Sequence, residues 1–202
     1  MKQPKVRFKL NRELDIWAGK VFGGITKREV IAVYKKQEND LIDSFLLAEK
    51  LWDSISEEFY IITNNLFGGY EWPKGDYIGF ISAFNGNPRF LKNKTFQVYY
   101  KHFAGPVYVT VHEMLHFIFY DYALKKHTDL FKNKDTESGI FWDIAEIFNA
   151  VILHEPEFIK IHGLKKVLCY PEHEKIVTKA RKIWRKENNI DEFIIKMYQI
   201  LK

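Results

Sequence analysis

From Val107 to Leu124 the chain is uncharged at almost every position, and three of its four exceptions cluster: His112, Glu113 and His116, with Asp121 beyond. A run of this length is too long for one strand and reads as a buried helix. Pro106 suits its first turn, where a missing N–H costs nothing. Burying two imidazoles and a carboxylate in such a helix costs free energy unless something satisfies them. Any fold for this chain has to answer that cost.

Around this helix the sequence alternates between helical and loop textures. Short helical patterns cover Arg12 to Val21, ending at Gly23-Gly24, and Lys27 to Lys35. A longer amphipathic one runs from Asp40 to Asn64, with Leu41, Phe45, Ala48, Trp52, Ile55 and Phe59 at helical spacing. Loop-forming residues follow up to Asp76. Tyr77 to Phe84 and Thr95 to Lys101 are aromatic and β-branched and read as strands, with a turn at Asn85-Gly86-Asn87-Pro88 between them. After the apolar helix, Lys125 to Asp135 reads as a loop. Ile140 to Leu153 is a second apolar helix stopped by Glu155-Pro156. Tyr170-Pro171 opens a helix to about Lys186, and Asn188-Asn189 precedes a last one, Asp191 to Leu201. Helices, then a small mixed or antiparallel sheet, then helices make an α+β chain. A single domain over 1–202 is expected, with helices and the sheet in 1–104 and a helical part in 105–202.

His112 and His116 are four residues apart. On an α-helix that spacing advances about 6 Å and overshoots one turn by about 40°, so both imidazoles can face one point. Zinc takes imidazole nitrogens at about 2.0–2.1 Å, which such a pair can supply. Glu113 projects beside the same point and can deprotonate a water there without ligating the metal. Two ligands and a general base thus fall within five residues.

Val109-Thr110-Val111-His112-Glu113-Met114-Leu115-His116-Phe117-Ile118 resembles the extended signature of the zincin metallopeptidases. The resemblance implies a zincin-like fold, a bound Zn2+ and hydrolysis of a peptide or protein substrate, with Glu113 as catalytic base. The metzincin branch would have Gly at position 119 and His at position 122. Phe119 and Tyr122 stand there instead. Gluzincins take a third ligand, a Glu, from a downstream helix, and the resemblance makes Glu146 that ligand. Asp143, one turn earlier, is either an orienting partner of His112 or His116 or the ligand itself, as in an Asp-ligated branch. Asn149, one turn after Glu146, is a further candidate neighbour, where gluzincins commonly carry an Asp. By analogy with that fold, Phe96 to Tyr100 would be an open sheet edge to which an extended peptide could add.

The remaining histidines carry less. His127, in a Lys-rich segment, is expected at the surface. His154, His162, His173 and Tyr170 lie where zincins place an oxyanion-stabilising group, and His102 immediately precedes the motif helix.

Composition excludes several other classes. The lone Cys169 allows no internal disulfide framework and reads as a small, inert hydrophobe in a reducing compartment. The charged N-terminus has no apolar core like that of a secretory leader, and no stretch of about 18 apolar residues could span a bilayer. A cytoplasmic protein is therefore expected. The net charge of +5 reflects cations such as Lys179, Lys182, Arg185 and Lys186 on what reads as the solvated face of a helix, so no nucleic-acid partner is expected. The alternative function is a regulatory zincin-like module whose metal site is structural or sensing.

Overall fold

The computed structural model describes residues 3–166 and 169–202. Met1 and Lys2, which open the charged N-terminal run, and Leu168, next to Cys169, lie outside the described residues. The chain forms two compact units, Met1–Glu57 with Lys74–Glu113 and Glu58–Pro73 with Met114–Lys202. Two long helices, α3 (Glu38–Leu66) and α4 (Gly105–Lys126), contribute to both.

The first unit contains β1 (Val6–Leu10), α1 (Arg12–Phe22), α2 (Lys27–Lys36), β2 (Tyr77–Ser82), β3 (Arg89–Phe90) and β4 (Thr95–Tyr99). Asn11 caps α1 by accepting from Leu14 N. Thr26 and Glu29 close a reciprocal capping box on α2. The strands order as β1-β2-β4-β3, with the first two pairings parallel and the last antiparallel, so the sheet is mixed. β1 was not expected. Its alternation, Val6 and Phe8 buried against exposed Arg7 and Lys9, is the period-2 pattern of a half-buried strand. The turn at 85–88 leads into β3 rather than directly into β4, and β2 and β4 run parallel.

Gly79 sits mid-sheet because two rings close over it. A Cβ there would lie 2.7 Å from the Phe8 ring and 3.0 Å from that of Phe96. Those rings meet edge to face at 6.5 Å. On the opposite face, Asp15 of α1 is 1% exposed. It accepts from Ser82 Oγ (2.6 Å), Gln97 Nε2 (2.7 Å), Ala83 N (2.8 Å) and Tyr34 Oη (2.9 Å). One carboxylate therefore ties α1, α2, β2 and β4 together. Burial pushes its pKa up, and the four donors pull it back.

β4 is not an open edge at Phe96 to Tyr100. Arg89 pairs with Phe96, Pro88 O accepts from Gln97 N at 3.0 Å, and Asn87 Oδ1 accepts from Tyr99 N at 2.7 Å. The segment 87–90 already occupies the hydrogen-bonding groups that an added peptide would need.

The second unit is helical: the later part of α4, α5 (Thr128–Phe131), α6 (Gly139–Ile152), α7 (Pro156–His162), a 3-10 turn at Pro171–His173, α8 (Glu174–Glu187) and α9 (Ile190–Leu201). α5 lies where a loop was expected. Pro156 ends nothing by itself: it occupies the first turn of α7, which closes on Gly163 in the left-handed region at φ 73°. Phe119 stacks on Phe148 at 4.5 Å and Phe131 on Phe141 at 4.1 Å. Phe148 and Trp184 both meet Phe193 edge to face, at 5.8 and 6.0 Å. Truncating one such ring to Ala costs about 3–5 kcal/mol. No described helix is long and apolar enough to cross a membrane.

Candidate metal centre

α4 keeps its apolar surroundings around the motif: Val109, Val111, Met114, Leu115, Phe117 and Ile118 are all buried. His116 is 0% exposed and Glu113 5%, while His112 is half-buried. α6 is as apolar, and Glu146 is 7% exposed within it. Buried carboxylates and imidazoles at these positions demand partners.

His112, His116 and Glu146 supply that for one another. Their ligand atoms all lie within 4.8 Å of one another. His116 Nε2 stands 3.2 Å from Glu146 Oε1. Two ligands on a tetrahedral zinc with bonds of about 2.0–2.1 Å are separated by about 3.3 Å, so this separation suits a shared ion. Two nitrogens and one carboxylate oxygen are a donor set that zinc accepts, and three protein ligands leave a fourth position for another group. The residues fit zinc.

Glu113 lies outside that group. Its Oε2 is 3.4 Å from Arg89 Nη1 in β3, and the two side chains are 6% and 7% exposed. Arg89 was not anticipated. Nothing in Asn87-Pro88-Arg89-Phe90 distinguishes a cation aimed into the core from one in solvent, because a two-residue strand has no period to read.

Asp143 is likewise not in the three-residue group. Its Oδ1 is 2.8 Å from Nε2 of His173, which is 5% exposed. The His173 ring lies against Trp142 at 5.3 Å and Tyr170 at 5.8 Å. Asp143 thus engages the start of α8 rather than either motif histidine. Asn149 is fully buried one turn beyond Glu146. His127 departs from the surface position expected of it. It is 8% exposed, and its Nε2 is 2.7 Å from Asp191 Oδ1, which also accepts from Tyr122 Oη at 2.8 Å. The first turn of α9 brings that carboxylate over what reads, from sequence, as a loop.

Backbone groups hold the rings of His162 and His102. His162 Nε2 is 2.9 Å from Leu153 O, and its Nδ1 accepts from Leu164 N at 3.0 Å. His154 is held below the ordinary histidine range by burial first, then by Arg181 and Arg185. His102 Nδ1 accepts from Ala104 N at 3.3 Å, and burial, with His112 nearby, lowers its pKa. On α8, Val177, Ala180 and Trp184 are buried while Lys179, Lys182, Arg185 and Lys186 are exposed.

No protein-family profile, curated protein or solved structure matches this chain.

Proposed function

We propose that the protein is a zinc-dependent peptidase of zincin-like fold, with His112, His116 and Glu146 as metal ligands and Glu113 as general base. The observation that carries this reading is the convergence of Glu146 on the two motif histidines. Two imidazoles from one helix and a carboxylate from another, with ligand atoms all within 4.8 Å of one another, are a donor set that zinc accepts.

Zinc held there would supply a Lewis acid that acidifies a water and polarises a carbonyl. Glu113 takes a proton from the attacking water as its oxygen adds to the carbonyl carbon. The same carboxyl then gives that proton to the amide nitrogen as the C–N bond breaks, and the second water proton passes from the new carboxyl to the amine, so an ammonium and a carboxylate leave. Glu113 comes from the same helix as His112 and His116, so α4 fixes the spacing of the base and these two ligands. Asp143, one turn before Glu146 on α6, orients His173 of the 3-10 turn, which makes His173 the candidate donor for the oxyanion side of the substrate.

The test is Glu113→Gln, assayed on denatured-protein and peptide mixtures by mass spectrometry. The variant should bind zinc as the parent does and lose about 100-fold or more of its cleavage rate. Full cleavage by the variant would rule out the mechanism.

A further inference from the structure

Glu113 follows the first ligand directly, so its carboxylate leaves α4 beside the metal group. Two neutral imidazoles and one carboxylate leave a divalent ion with an uncompensated positive charge, which attracts any second carboxylate nearby. A Glu in this position has two competing fates, base or fourth ligand, and only the first leaves the metal open to water.

We infer that Arg89 decides between them by holding Glu113 off the metal. This rests on the reading of His112, His116 and Glu146 as zinc ligands. The pair is 3.4 Å apart and almost wholly buried, so salt screens it little. The backbone that carries Arg89 is held by contacts other than the one to Glu113. Pairing with Phe96, the Pro88 O contact to Gln97 N and the Asn87 Oδ1 contact to Tyr99 N fix the backbone of its segment. The Phe90 ring packs on Trp17 at 5.7 Å, and strand alternation sends Arg89 to the opposite face. A guanidinium stays charged at any working pH, so the hold does not lapse. Without it, Glu113 is a buried carboxylate that has lost its guanidinium, an expensive state. A zinc ion held by His112, the residue before Glu113, then offers that carboxylate a new cation.

The expected sign separates this role from ordinary support. Removing a group that merely props up a metal site loosens the metal about 10–100-fold. Removing Arg89 tightens it, because Glu113 joins the ligands. Zinc affinity is measured by chelator competition, with the metal alone, in the parent, Arg89→Met, Glu113→Gln and the double variant. Arg89→Met should bind zinc about tenfold tighter or more. In the Glu113→Gln background the same substitution should change affinity by no more than about twofold. Arg89→Lys, which keeps a cation, should stay within about twofold of the parent. Far-UV circular dichroism checks folding, and Arg89→Gln replaces the Met variant if that one does not fold. Loosened or unchanged zinc, or equal tightening in both backgrounds, overturns the inference. Zinc binding by the parent with no Arg89 effect would sink this inference alone; no zinc binding by the parent would sink the functional reading with it.

Discussion

Glu146 Oε1 and His116 Nε2 lie 3.2 Å apart, on two helices whose neighbouring residues are almost all apolar. That relationship makes Glu146, rather than Asp143, the third member of the group. Glu146→Ala should weaken zinc more than about 100-fold, beyond what loss of a supporting contact produces. Asp143→Ala should leave zinc within about tenfold of the parent, because Asp143 engages His173 instead. Calorimetric zinc titration distinguishes the two, and the reverse ranking would make Asp143 the ligand.

Asp15 makes stability depend on pH in an unusual direction. Its native pKa is raised by burial, so the folded chain holds the proton more readily than the unfolded chain does. Its contribution to stability is therefore fully present below the unfolded value of 3.8 and falls as pH rises through the raised native value. Urea unfolding of the parent, compared with Asp15→Asn across that window, should show the parent losing stability relative to the variant as pH rises. Parallel stability curves would mean that the four donors cancel the cost of burial. Asp15→Ala should cost about 3 kcal/mol or more, since several buried donors lose their acceptor.

Gly79→Ala places a methyl 2.7 Å from the Phe8 ring and 3.0 Å from the Phe96 ring. One ring or the strand has to move, at a cost of about 1–3 kcal/mol. Chemical denaturation checks this, and a neutral result would show that the sheet yields there.

Asp191 accepts from both Tyr122 and His127. Asp191→Ala leaves two buried groups of α4 and its C-terminal turn without that acceptor and should cost about 1–3 kcal/mol. Local hydrogen exchange should quicken in α9 and around His127 while the amides of β2 and β4 keep their protection. Uniform loss across the chain would contradict a local role.

Much of this was legible because it is periodic. The 3.6-residue pattern of α3, the apolar runs of α4 and α6, too long for strands, and the five-residue spacing of His112, Glu113 and His116 follow directly from the sequence. Glu146 is also legible, as a carboxylate stranded in apolar helix. β1 was missed although Val6-Arg7-Phe8-Lys9-Leu10 alternates cleanly; five residues near a charged terminus make a weak signal without their partner β2. Pro156 reads equally well as a stop or as a first helical turn, and only the Gly163 cap decides for α7. Arg89, His173 and Asp191 acquire their roles from contacts distant in sequence, which no local pattern encodes. The edge of β4 was misjudged for the same reason, since it is closed by the irregular segment 87–90.

The central claim is that this chain holds one zinc ion at a three-residue site with a free fourth position. Crystals of the zinc-loaded protein, measured on both sides of the zinc absorption edge, test it most directly. The account predicts one strong anomalous peak per chain, with His112, His116 and Glu146 at about 2.0–2.2 Å and no fourth protein ligand. A peak elsewhere, a fourth protein ligand, or no peak after loading would contradict it.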